Sequence, residues 1–142
     1  MIRFVHVFWS ILWRSILVLA LNSGIAYTLY TVDHSLFEVT ANSIKIRHSL
    51  TYLPAAVMFA VLAMQIKGTQ NMLLEERSPL SNRQWRQTYF GLSACAFGIV
   101  IIFCISAVIL NIDTWVSIQK LLPLPLFMLF WIAVAIWQAK SR

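Results

Sequence analysis

TYFGLSACAFGIVIIFCISAVIL, Thr88 to Leu110, is the stretch that decides the fold. It runs without one charged residue, and it is long enough for a helix to cross a hydrocarbon core about 30 Å thick. Inside lipid no water is available to the backbone, so a single spanning segment must close its hydrogen bonds within itself, as a helix does. Three further apolar stretches flank it: roughly Trp9–Tyr30, Leu50–Ile66 and Leu121–Ala139. The expected fold is therefore an all-α integral membrane protein. It has four transmembrane helices, both termini on one side, short connections, and a single domain over residues 1–142.

Composition agrees. Hydrophobic residues make up 60% of the 142 and charged residues 11%, against about a quarter charged in a soluble domain. Mean hydropathy is +0.76. The connections are too short to bury cores of their own, and no soluble domain is expected at either end. The apolar run after Arg3 is too long for a signal peptide and ends in Tyr-Thr-Leu-Tyr rather than in small residues, so it reads as a retained span.

The net charge of +6 matters less than its distribution. Arg3, Arg14, Lys67, Arg77, Arg83, Arg86, Lys140 and Arg142 fall on one side of the alternating topology, and only Lys45, Arg47 and Lys120 on the other. Under the positive-inside rule this puts both termini and the middle connection in the cytoplasm. A bacterial inner membrane is the expected location, and no nucleic-acid partner is expected. Cys95 and Cys104 are nine residues apart in one span, about 13 Å along a helix, too far to bridge. They read as small apolar fillers.

Several residues stand out within the spans. In the first, Trp9 and Trp13 face Tyr27 and Tyr30 across about a bilayer's depth, forming two aromatic belts. Arg14 lies a turn inside the first belt, where its stem can lie along the helix while its head reaches the headgroups. Asn22, Ser23 and Gly24 form a polar, small-residue patch suited to helix packing, since Asn22 needs a hydrogen-bond partner in hydrocarbon. In the third span, Gly91, Ala94, Cys95 and Gly98 make a small-residue ridge at i, i+3, i+4, i+7, continued by Ile102 and Ile105. It suits close helix–helix contact, within the chain or with a partner. Trp131 is a large ring at mid-span and reads as packing in a groove, or else as facing a cofactor or lipid of a partner.

Near the membrane edge, Ser81 with Gln84 has the form of a capping box. Arg83, Trp85 and Arg86 then read as an anchor at anionic lipid headgroups or as a partner's docking point. Ser78-Pro79 should stop any extension of the second span through residues 71–76. Pro54 suits a first helical turn. Pro123 and Pro125 together predict a loose start to the fourth span, with regular helix from about Leu126.

The first connection, 31–49, carries Asp33, His34, Glu38 and His48, which are metal-ligand types at no recognised spacing. Ser43–His48 alternates apolar and charged residues, as a short strand or an interfacial segment would. No Asp, Glu or His occupies mid-span, although proton-coupled carriers and haem anchors require such groups. No catalytic constellation, cofactor site or metal site is expected, and the chain reads more as a non-enzyme than an enzyme. Two functions fit this pattern. The first is a non-catalytic accessory, anchoring or regulatory subunit of a larger membrane complex, partnered by other integral membrane subunits. The second is a small self-associating transporter, flippase or channel component, whose minimal polar route would be Asn22, Ser23, Ser93 and Ser106.

Overall fold

The computed structural model describes residues 1–36, 40–65 and 80–140. These form six helices: α1 (Ile2–Leu36), α2 (Ala41–Ser49), α3 (Leu53–Met64), α4 (Asn82–Ile109), α5 (Ile112–Leu121) and α6 (Pro123–Lys140). Four helical stretches are long and apolar enough to cross a membrane. They are α1, the α2–α3 pair from Asn42 to Met64, α4, and the α5–α6 pair from Ile112 to Lys140. The chain is an all-α protein with four membrane-crossing helices, as its hydropathy predicts.

Each crossing turns one stripe inward and leaves the rest to lipid. On α4 the buried stripe is Trp85, Thr88, Leu92, Ala96, Ile99, Phe103 and Ser106, in steps of three and four, the spacing that keeps one seam facing a neighbour. On α6, Pro123, Phe127, Trp131 and Ala135 repeat every four residues. On α1 the stripe is Val7, Ile11, Arg14, Val18 and Asn22. The short α3 buries Ala55, Ala56, Phe59 and Ala63 and packs most extensively on α4. Small side chains there bring the two backbones close, which compensates for a brief span. α1 and α4 each contact both α3 and α6, so the four crossings form a closed ring.

Two ends can be told apart by contact. Gln138 near the end of α6 reaches Gln84 and Thr88 at the start of α4, and Arg14 of α1 reaches Trp85. This is the terminal end. At the distal end, α2 contacts the last residues of α1 and α4.

Two sequence expectations fail. Ser43–His48 is helix, not strand: Thr40 caps α2 in a reciprocal box with Ser43 (3.3 and 3.0 Å). With a helical period, Ile46 points outward and is exposed while Ile44 is half-buried, so the alternation misassigned one isoleucine. The fourth span also begins earlier than Leu126. α6 is regular from Pro123, and Leu122 keeps helical dihedrals between α5 and α6. Both prolines sit in the first turn of α6, where N–H groups have no intrahelical acceptor to lose. The Ser81–Gln84 box forms as expected (3.4 and 2.9 Å), and Pro54 sits in the first turn of α3. The stop at Ser78-Pro79, the possible extension through residues 71–76, and Glu38 lie outside the described residues.

Candidate functional site

The polar side chains of the crossings are engaged in holding helices. Asn22, 2% exposed, accepts a hydrogen bond at Oδ1 from the Ala55 backbone N–H at 2.9 Å. That N–H belongs to the first turn of α3 and has no acceptor in its own helix. Asn22 thus caps α3 from a neighbouring helix, which the Tyr52 cap position does not do with its side chain. On the opposite side, the Ser93 hydroxyl of α4 donates to the Ala56 carbonyl at 2.7 Å. Two adjacent residues of α3 are therefore held by α1 and α4.

At the terminal end, Arg14 is 8% exposed. Its guanidinium lies 4.3 Å from the Trp85 ring centre and 5.1 Å from that of Trp13. It donates to the Ser10 carbonyl at 3.1 Å and to the Ser10 hydroxyl. The head is turned into the bundle rather than out to headgroups, because two indole faces and a serine take the place of water for a weakly hydrated cation. Trp85 is likewise buried, stacked on Tyr89 at 5.3 Å, so it is core rather than an interfacial anchor. Arg83 and Arg86 are exposed, with Arg86 over the Phe90 ring at 5.8 Å. Gln138 is fully buried and donates from Nε2 to the Gln84 carbonyl and the Thr88 hydroxyl (3.3 and 3.4 Å).

The small-residue ridge of α4 divides. At Gly91 a Cβ would lie 2.6 Å from Phe130 Cζ, so α6 packs directly over it. At Gly98 a Cβ would meet nothing within 4 Å. Ala94 is exposed and Cys95 half-buried, and Ile102 and Ile105 face outward. Gly24 is equally open, and Ser23 beside it is exposed and donates to its own helix at Leu19 (3.0 Å). The first-helix patch therefore splits, with Asn22 inside and Ser23 and Gly24 outside. Trp131 is 3% exposed and lies against Phe127, ring centres 5.9 Å apart. It fills a groove of this chain, and its Nε1–H is buried without an acceptor among the described residues.

The distal end holds a site-like feature. A half-open cavity of about 490 Å³ lies between the last turns of α1 and the α2–α3 junction, lined by Ala26, Tyr27, Leu29, Tyr30, Asp33, Arg47, His48, Leu50, Thr51 and Pro54. Arg47 Nη1 donates to Asp33 Oδ2 at 2.6 Å, with the two side chains 34% and 30% exposed. The Tyr30 ring stands 5.2 Å from His48 and 5.8 Å from His34. A second cavity of about 30 Å³ adjoins it beside Asp33 and Arg47, room for a water molecule. Lys45 turns away and donates from Nζ to the Leu110 and Ala107 carbonyls (2.8 and 3.4 Å), closing the C-terminus of α4 with a cation, as that end of a helix dipole favours. Among the described residues, no group of three His, Cys, Asp or Glu is placed to hold a metal.

Sequence reasoning missed Gln138, Lys45 and the identity of Asn22's partner. Gln138 carried a signal, as the sole amide of an otherwise apolar last span beyond Gln119. The other two depend on which helices become neighbours. Compared with known proteins, the chain matches no family model, no curated protein and no solved structure.

Proposed function

We propose that the chain is a non-catalytic subunit of a larger membrane complex, anchoring or regulating an integral membrane partner that carries the chemistry. The observation that carries this reading is the open half of the α4 ridge. Ala94 and Gly98, with Ile102 and Ile105 beyond them, form a shallow apolar face that none of the described residues covers. A face of that kind gains from close contact with a second helix, because lipid tails fill a small-residue groove poorly. In this reading both termini are cytoplasmic, the membrane is a bacterial inner membrane, and exposed Arg83 and Arg86 meet anionic headgroups.

The polar groups suggested for a solute route speak for the same reading. Asn22 is bonded to Ala55, Ser93 to Ala56, Ser106 to Phe103 and Ser23 to Leu19. Ser23 is on the lipid-facing side, so the four do not share one path.

The test is purification of the chain from its native membrane in mild detergent, as wild type and as Gly98→Leu. Stoichiometric recovery of a different membrane protein, lost in Gly98→Leu, is the expected result. A monodisperse homo-oligomer that moves solute in liposomes would overturn the subunit reading in favour of a small transporter. A partner that survives Gly98→Leu would move the interface elsewhere.

A further inference from the structure

α4 begins at the terminal end with two exposed arginines, Arg83 and Arg86. They are three residues apart, so they share a face of the helix. In further steps of four, four, three and four, that face carries Phe90, Ala94, Phe97 and Ile101, all exposed. By the helical period it lies opposite the buried stripe of Trp85, Leu92, Ile99 and Phe103, and so looks out to lipid. Arg86 is turned along this face: its guanidinium stands 5.8 Å from the Phe90 ring centre, four residues further into the span. Among the described residues neither guanidinium has an ion-pair or hydrogen-bond partner. The acidic residues among the described ones are Asp33 and Asp113, both at the distal end.

We infer that this face holds one anionic phospholipid, its phosphate between Arg83 and Arg86 and one acyl chain along Phe90, Phe97 and Ile101. Such a site rests on the headgroup contact in the function proposed above and narrows it to one lipid on one helix face. Sign decides the headgroup. Two guanidiniums with no described carboxylate at their end of the bundle attract a phosphate, whose paired oxygens suit the guanidinium fork. They repel an ammonium, so a zwitterionic headgroup loses part of that attraction. Position favours a lipid over a soluble phosphate. Arg83 and Arg86 stand in the first turns of the crossing that starts at Asn82, where headgroups lie. From Phe90 to Ile101 is about 16 Å along the helix, close to the half-thickness of a hydrocarbon core and so to the depth of one acyl chain. Ala94, small between two rings, leaves a recess in the stripe. Lys140 is a like charge at the same end but on another side. It stands two residues beyond Gln138, which faces α4, and two residues turn a helix by about 200°.

The experiment is native mass spectrometry of the full chain in mild detergent, with equimolar phosphatidylglycerol and phosphatidylethanolamine of matched chains. The wild type should retain one phosphatidylglycerol about tenfold more strongly than phosphatidylethanolamine, the scale of one to two cations at a membrane surface. Arg83→Gln combined with Arg86→Gln should abolish the preference. If that double variant fails to fold, Arg86→Gln alone decides and should reduce the preference about threefold. Phe90→Ala with Phe97→Ala should weaken retention of both lipids and keep the preference, and Lys140→Gln should change neither. Equal retention of the two lipids by the wild type, or a preference unchanged without the arginines, overturns the inference. Retention unchanged without the two rings, or a preference lost equally in Lys140→Gln, does so too, because charge at that end then acts without a site. So does a copurifying protein that depends on Arg83 and Arg86 in the absence of any lipid preference, which makes the face a protein docking point. The subunit reading is decided separately by Gly98→Leu, since Gly98 lies outside the stripe.

Discussion

Arg14 and Arg47 stand at opposite ends of the bundle and are housed in opposite ways. Arg14 is almost fully buried, between two indole rings and a serine. Arg47 is one-third exposed and paired with Asp33 beside a half-open cavity. The terminal end is closed by large rings and by the Gln138–Thr88–Gln84 contacts. The distal end is held by side chains reaching backbone ends, Lys45 on α4 above all. A dry end with an enclosed cation gives rigidity. An end with a half-exposed ion pair and a cavity retains surface for a ligand. The difference sets a closely packed terminal end against a more open distal one.

Substitutions can break that division. The largest effect is expected from Trp85→Ala, which removes a buried ring and one face of the Arg14 site. It should cost about 3–5 kcal/mol, read as a large drop in the thermal midpoint in mild detergent. A midpoint within a degree or two of wild type would show that the terminal end does not carry the stability assigned to it. Next is Gly91→Leu, which drives a branched side chain into Phe130 and should cost about 1–3 kcal/mol. Gly98→Leu in the isolated chain should stay within about 0.5 kcal/mol, since its surroundings are open. Equal effects at the two glycines would contradict the split of the ridge.

Asn22→Ala sits between the two ends. It leaves the Ala55 N–H unpaired and should cost about 1 kcal/mol, in line with side-chain hydrogen bonds measured inside membranes. A small effect is also expected at Asp33→Asn. A partly exposed ion pair contributes less than about 1 kcal/mol, and less still at high salt. Its stability change should therefore be slight, read as a thermal midpoint close to wild type. A large loss of stability at Asp33 with none at Trp85 would reverse the roles of the two ends.

Much of this was legible in the chain. Hydropathy marks the four crossings because lipid tolerates few other arrangements of a buried backbone. Ser81 with Gln84 and Pro54 were readable because a cap is made by residues adjacent in sequence. The small-residue ridge was visible as a pattern, but which part of it faces α6 was not. Gly91 and Gly98 differ only in what stands opposite. Arg14 was expected to snorkel, on the general behaviour of an arginine near a span's edge. Its burial depends on Trp85, distant in sequence and brought close only by the packing of α1 near α4. Ser43–His48 failed as a strand because six alternating residues are too few to distinguish a period of two from one of 3.6, and the Thr40–Ser43 cap decided for helix.

By itself, then, the sequence determined what could be settled by local chemistry and by the choice of solvent: four helical crossings, their caps, an interior without central charge, and the side bias of Lys and Arg. Only the tertiary structure decided which polar group meets which: Asn22 with Ala55, Arg14 with Trp85, Gln138 with Thr88, and Asp33 with Arg47 at the rim of a cavity. The physical reason is that lipid rewards any apolar helix almost equally, whatever its neighbours. The ring of α1, α3, α4 and α6 is therefore chosen by contacts between residues far apart in the chain, through small side chains, scarce hydrogen bonds and the fit of large rings.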